Sequence, residues 1–429
     1  MGPQLFLLPV IALNNLLQAA VLLTATAHFL LSLRGFFSIR KPAVDGTWRR
    51  FALILPAHNE ETVIKFSIES LFKMDYPADK FDIYIIADHC TDKTVEIAGA
   101  SGVSILEHTG PDKKTGKGRA LKWACPRILA LNKHDALCYF DADSLAHPGF
   151  LSAINAQLAA GAEVVQGRLV TKNPENWLTR IIASELIMYN RFYERPKYAL
   201  GLSAKLFGKG LCLSKKISAN HEWDETSLTE DLELQMRLIR HGVHIAWAEN
   251  AIIYDEEPAT LRQYLQRTIR WKCGAFDTSR RHLAGLWRRA ILSRDASALE
   301  GAIYCARNYL LPVVLLTIAL TAYFRESFNF YIWLYRQGEH LKPAILLPAA
   351  ALLAAYPAVA MRQERAPLGI VAAFFLQPAL LLLRIPIFVA GVFRTRDEWE
   401  RTEHTSKVTI SDLVKASPET SVEPAQADN

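Results

Sequence analysis

Cysteine is scarce in this chain and never paired. The six cysteines, Cys90, Cys125, Cys138, Cys212, Cys273 and Cys305, include no C-x-x-C spacing. That excludes a zinc ribbon and a disulfide frame and fits reduced thiols of a cytosolic domain. No charged region precedes the first apolar run, and no A-x-A-type cleavage site follows it. A retained anchor is therefore expected rather than a cleaved signal peptide. No internal repeat divides the chain. Charge of one sign is in small excess, 49 Lys and Arg against 43 Asp and Glu, a net of +6. The basic residues crowd beside apolar segments, which points to the inner face of a membrane and away from nucleic acid.

What the chain does have is hydrophobicity at its two ends. Half of its 429 residues are hydrophobic and the mean hydropathy is slightly positive, high for a wholly soluble enzyme. Residues 5–33 are almost continuously apolar, longer than the ~20 residues that cross a hydrocarbon core. Arg34, Arg40, Lys41, Arg49 and Arg50 follow, which places the next segment in the cytoplasm by the positive-inside rule. A second basic block, Arg280, Arg281, Arg288, Arg289 and Arg294, precedes spans expected at about 303–323 and 343–361. Between them lies an aromatic stretch, Phe328, Phe330, Tyr331, Trp333 and Tyr335, expected at the outer interface. The last apolar segment, 368–393, is broken by Pro378, Arg384 and Pro386 and reads as interfacial or re-entrant, with a third crossing as the alternative. Residues 416–429 have the composition of a disordered tail.

Residues 51–280 alternate strand and helix patterns, which argues for an α/β domain with a mostly parallel sheet covered on both faces. Strands are expected at 51–56, 81–87, 103–106 and 136–140, and helices at 60–72, 94–100 and 119–131. Two acidic clusters stand out: Asp141-Ala142-Asp143 after the apolar run 136–140, and Thr229-Glu230-Asp231 at the start of a helical pattern. Ligands of open α/β sheets bind at the carboxyl edge, where Asp141 and Asp143 fall. Two carboxylates one residue apart can hold a hard divalent cation, and the cation a diphosphate. Glu230 or Asp231 can supply a separate base. A metal-diphosphate clamp with a distinct carboxylate base is the minimum equipment of a nucleotide-sugar glycosyltransferase. The competing account of Thr229-Glu230-Asp231 is a capping box, and that of Asp88 and Asp92 is a capped turn.

Five segments, Pro56-Ala57-His58-Asn59-Glu60-Glu61, Asp88-His89-Cys90-Thr91-Asp92, Lys117-Gly118-Arg119-Ala120-Leu121, Asp141-Ala142-Asp143 and Thr229-Glu230-Asp231, occur in that order. In this they resemble family 2 glycosyltransferases, over about 51–275. The flanking layout is similar to the membrane-integrated branch, with cellulose synthase, poly-N-acetylglucosamine synthase and exopolysaccharide synthases. The resemblance implies a GT-A fold, a UDP-sugar donor, Mg²⁺ or Mn²⁺, inversion at the anomeric carbon and an acceptor at the membrane. It implies that Asp88 contacts uracil, that Ala57, His58 and Glu60 line the nucleotide pocket, and that Lys117 contacts the nucleotide. Asp141 and Asp143 become metal residues, with Asp143 the direct ligand, and Asp231 the general base. Lys113 and Lys114 read as solvated charges.

The stretch Gln263-Tyr264-Leu265-Gln266-Arg267-Thr268-Ile269-Arg270-Trp271 resembles the family's Q-x-x-R-W signature with a displacement: the glutamine position before Arg270-Trp271 holds Arg267. Arg270 is expected to pair with diphosphate and Trp271 to stack under the acceptor sugar. Gly208-Lys209-Gly210 lies where related chains have an acceptor-side turn, and Trp399-Glu400-Arg401-Thr402 is similar to a W-x-x-T element near the nucleotide cleft.

The expected organisation is an N-terminal transmembrane helix (1–34), a cytosolic GT-A domain (35–290), transmembrane helices (291–366), an interfacial or transmembrane helix with a juxtamembrane segment (367–410) and a tail (411–429). The expected function is sugar transfer from UDP-sugar to a membrane lipid or a growing glycan at the inner membrane. Homo-oligomerisation or assembly with polysaccharide-export proteins fits so few spans. Single addition to a lipid and a non-catalytic carbohydrate-binding scaffold are the alternatives.

Overall fold

The computed structural model describes residues 8–39, 42, 45–110, 114–323, 336, 344, 347–393 and 404–416. Lys113, the aromatic stretch 328–335, Trp399 to Thr402 and the tail from 417 lie outside the described residues.

Eight strands form one sheet: β1 (Phe51–Ala57), β2 (Phe81–Asp88), β3 (Ser104–His108), β4 (Ala136–Tyr139), β5 (Leu145–Ala146), β6 (Val164–Thr171), β7 (Leu211–Ser214) and β8 (Ile245–Asp255), in the order β3-β2-β1-β4-β7-β6-β8-β5. β1 shows why the run is apolar throughout. Phe51, Leu53 and Leu55 enter one buried layer, while Ala52 and Ile54 enter the layer on the other face. A strand covered on both sides has no polar position. The first layer also takes Ile64, Ile68 and Leu71 from the helix Ile64–Phe72; the second takes Leu121, Ala124 and Ile128 from Lys117–Ala130.

The expectation of a mostly parallel sheet holds for half of it. β3, β2, β1 and β4 run parallel, joined by crossover helices. In the other half β7 is antiparallel to both β4 and β6, and β5 to β8, while β6 and β8 are parallel. The sheet is therefore mixed. β7 has four residues, and no helical βαβ crossover ties it to β4 in a parallel sense. The helix after β1 starts at Ile64, four residues later than expected, because Asn59 turns the chain with φ of 58°.

Two helical stretches are long and apolar enough to cross a membrane, Leu8–Phe36 and Ala296–Tyr323. A third candidate is a bent pair, Leu368–Phe374 with Gln377–Val392, at 46°. The helix Leu347–Gln363, in the region of the expected second span, is described over 17 residues. Its end is tied to the sheet domain: Glu364 accepts from Arg168 on β6 at 2.5 Å and from Arg191 at 2.6 Å. The 32-residue helix Leu261–Leu292 packs against Ala296–Ala306 and Arg384–Phe393.

Candidate active site

The site lies along the carboxyl edge of β1, β2, β4 and β8. At the end of β2, Asp88 is 3% exposed. Its Oδ1 accepts from Nδ1 of His89 (2.7 Å) and of His108 (2.8 Å), and its Oδ2 from the Gly116 N–H (3.1 Å). The His58 ring sits on the Asp88 carbonyl at 2.6 Å. Ala57, His58 and Asp88 thus lie side by side at the ends of β1 and β2. Asp92 serves the turn: it accepts from the N–H and hydroxyl of Thr94 and from the Glu61 N–H.

Beyond β4, Asp141 and Asp143 are joined by Asp255 from the end of β8, one carboxylate oxygen of each lying within 4.8 Å of the others. Lys209 reaches into this trio, pairing with Asp255 and standing 3.3 Å from Asp141. Lys117 pairs with Asp141 on the other side and donates to the Gly208 carbonyl at 2.8 Å. Lys172 donates to the Asp143 carbonyl at 2.7 Å and pairs with Glu256 at 3.0 Å.

These cations set the carboxylates apart. Burial works to raise Asp141 and Asp143, but Lys117 and Lys209 outweigh it for Asp141, and His404, Lys209 and Lys172 for Asp143; both end below the usual range. Burial dominates at Asp255, which rises to about 7 although Lys209 opposes it. Its Oδ1 is buried without a partner among the described residues. Three converging carboxylates, one with an orphaned oxygen, fit a hard divalent cation, and the Lys209 ammonium stands in for positive charge there.

The second acidic cluster opens the helix Glu230–Arg240. The capping box expected as the bland account is not formed: Thr229 makes no side-chain cap bond, and its buried hydroxyl has no partner among the described residues. Thr229 is instead pressed against Gly274 of the helix Leu261–Leu292, where an added Cβ would come within 2.4 Å of its Oγ1. Asp231 accepts from the Leu232 N–H at 2.8 Å. Burial, with Asp231 beside it, pushes Glu230 up to about 7, against Lys117.

Gly208 joins the two clusters. Its φ is 76°, and a Cβ there would stand 3.3 Å from Lys117 Nζ and 3.5 Å from Asp231 Oδ2. A glycine satisfies both the backbone conformation and the close approach.

Arg270 is half-buried and feels Glu230 most among the acids around it. Trp271 is 48% exposed, with the Arg267 guanidinium over its ring at 4.5 Å. Arg267, in the position of the displaced glutamine, pairs with Glu257. Gln263 is committed to a capping box with Thr260. The Q-x-x-R-W expectation therefore survives only in its last two residues.

Sequence reasoning missed Asp255, Lys172 and His404, and saw Lys209 only as part of a turn. Asp255-Glu256-Glu257 after the apolar β8 carried a signal, an acidic run at a strand's carboxyl end. His404 arrives from the far end of the chain: its ring lies 3.3 Å from Glu60 Oε2 and 3.8 Å from Asp143 Oδ2. Thr405 and Ser406 donate backbone N–H groups to Glu256. Glu60 is thus buried under the returning segment.

A mixed sheet whose parallel half ends in a buried acid and whose carboxyl edge carries an acidic trio defines a GT-A-like α/β domain. A family model described as "Glycosyltransferase like family 2" matches residues 49–274, and the chain belongs to that family. It is 26% identical over 235 residues to the probable glycosyltransferase YdaM of Bacillus subtilis (strain 168), covering 52% of this chain and 55% of that one. It is 25% identical over 228 residues to the beta-monoglucosyldiacylglycerol synthase of Synechocystis sp., covering 52% and 47%. The probable glucomannan 4-beta-mannosyltransferase 3 of Arabidopsis thaliana is 24% identical over 248 residues, covering 55% and 43%. The chain spans about half the length of these curated relatives. Among solved structures, the mannosyltransferase PcManGT from Pyrobaculum calidifontis, in complex with GDP-Man and Mn²⁺, shares the fold at a TM-score of 0.50 and 18% identity, covering 82% of this chain and 99% of that one.

Proposed function

We propose that the protein is a membrane-integrated inverting glycosyltransferase that moves a sugar from a nucleoside diphosphate sugar to an acceptor at the membrane. The observation that carries this is the Gly208 turn, beside which both Lys117, assigned here to the diphosphate, and Asp231, assigned here to the acceptor, lie. Asp88 holds the nucleobase, and Ala57, His58 and Glu60 complete that pocket. Lys117 and Arg270 meet the diphosphate. Asp141, Asp143 and Asp255 hold a divalent cation, which when bound neutralises the charge that grows on the leaving diphosphate. Mn²⁺ accompanies GDP-Man in the Pyrobaculum structure; here Mn²⁺ and Mg²⁺ are both cations to test.

Asp231 takes the proton of the acceptor hydroxyl as its oxygen bonds to the anomeric carbon. The bond from that carbon to the diphosphate oxygen breaks on the opposite face, and its electron pair leaves with the nucleotide. Trp271, half exposed beside Arg270, offers its face to the acceptor sugar.

The two long apolar stretches, and the bent pair as a third, anchor the enzyme with its sheet domain in the cytoplasm. A beta-monoglucosyldiacylglycerol synthase and a probable glucomannan 4-beta-mannosyltransferase occur among the relatives, so both a lipid and a growing glycan are acceptors to test. The intact carboxylates at 141, 143 and 231 disfavour a non-catalytic scaffold.

The test is nucleotide release by the full-length protein in detergent with Mn²⁺ and UDP-glucose, UDP-N-acetylglucosamine or GDP-mannose. Asp231→Asn is expected to keep nucleotide affinity and lose transfer by about 10²–10⁴-fold. An absence of both nucleotide binding and release with every donor would sink the proposal. Product length on a gel separates single addition from polymerisation.

A further inference from the structure

The field of Asp231 reaches one further lysine, Lys205, which has no role in the transfer as proposed. Lys205 belongs to the same short segment as Phe207 and Gly208. Its backbone N–H is fixed by Glu194 Oε2 at 3.1 Å. Its ammonium faces three aromatic rings, with centroids at 4.8 Å (Phe207), 5.5 Å (Tyr189) and 5.9 Å (Tyr304). Among the described residues no carboxylate lies within ion-pair distance of it, unlike Lys117, Lys172, Lys197 and Lys209. An ammonium has three donors; the Tyr304 hydroxyl takes one as a side-chain hydrogen bond, and the ring faces take none. Burial works against the charge of Lys205, yet Tyr304, Asp231 and Glu194 outweigh it, so the lysine is charged and within the field of Asp231.

The walls indicate what comes here. Phe207, Tyr189 and Tyr304 offer flat apolar faces, the two tyrosines each add a hydroxyl edge, and the Tyr189 hydroxyl is buried without a partner among the described residues. Tyr304 lies on Ala296–Tyr323, a stretch long and apolar enough to cross a membrane. Lys205, Tyr189 and Tyr304 are each partly exposed. Asp231 and Glu194 bear on the cation from beyond ion-pair distance, which leaves it open to a neutral oxygen as a direct partner.

We infer that Lys205 is an acceptor-binding residue: its ammonium donates to an oxygen of a neutral, hydroxyl-bearing acceptor whose framework lies against Phe207, Tyr189 and Tyr304, and so turns the reacting hydroxyl toward Asp231. The inference rests on the glycosyltransferase reading. The same chemistry is offered by the glycerol end of a neutral lipid and by a sugar ring, and the two arms of the test separate them.

The full-length protein in neutral detergent is assayed with dioleoylglycerol in one arm and cellotetraose in the other, reading nucleotide release above the acceptor-free rate. Lys205→Met is expected to raise the acceptor KM at least tenfold while the Kd for UDP stays within twofold, which also reports that the domain is folded. Lys205→Arg is expected to recover most of the loss. The arm that shows the effect names the acceptor source. An unchanged acceptor KM overturns the inference, as does a matching loss of UDP affinity, or stimulation of the wild type by phosphatidic acid and by neither neutral probe. A wild type that releases no nucleotide from any donor instead sinks the glycosyltransferase reading beneath it.

Discussion

Lys209 bridges two members of the acidic trio, paired with Asp255 and 3.3 Å from Asp141. Three carboxylates at one strand edge repel one another, and removing one partner of a buried pair leaves its charge uncompensated, at a cost of about 3–5 kcal/mol. Lys209→Met is therefore expected to lower the melting temperature in the presence of EDTA, and Mn²⁺ to restore much of it. Equal melting curves for variant and wild type in EDTA would show that the trio does not need this cation.

Gly208 is held to glycine by its positive φ and by Lys117 and Asp231 on either side. An alanine there costs about 1–2 kcal/mol in backbone strain, and relieving it moves the turn that Lys117 and Asp231 line. Displacements of about an ångström cost about 10²-fold in rate. Gly208→Ala is expected to reduce transfer on that order while the Kd for UDP changes far less. Wild-type transfer rates in the variant would refute the close approach.

Glu364 gathers Arg168 and Arg191 at the end of the helix Leu347–Gln363. Burial opposes its charge, but the two guanidinium groups outweigh it and lower its pKa. A depressed carboxylate stabilises the fold above its ordinary pKa of 4.5 and loses that contribution as pH falls through its lowered value. Glu364→Gln is expected to melt below the wild type at pH 7, and the gap to close as pH falls below about 4. A gap that is independent of pH would mean that packing, not charge, joins this helix to β6.

Much of the half built on β1 to β4 was legible in the chain, because each piece is local. Strands β1, β2 and β4 are largely apolar runs; Asp88 ends one of them and Asp141 stands two residues past another, so strand ends and site residues are read together. The half built on β5 to β8 was less legible. β7 and β8 pair across large sequence distances, and no periodicity announces an antiparallel insertion between β4 and β6. Asp255 needed its strand to be placed beside β6 before its nearness to Asp143 meant anything. His404 lies over 260 residues from Asp143 and carries no local pattern of its own. Thr229 shows the opposite failure: the local rule for a helix start was met in sequence, and the approach of Gly274 overrode it.

The return of the chain at His404 to Ser406 bears on how the enzyme can be dissected. The stretch matched by the family ends at residue 274, yet Glu60 is covered by His404 and Glu256 is held by the two residues after it. A soluble fragment cut near residue 290 would keep the sheet and all three aspartates, but it would open Glu60 to water and free Glu256 of its backbone donors. The chain on both sides of the long apolar stretches therefore builds one pocket, and those stretches are threaded through the sheet domain's site instead of being appended to it.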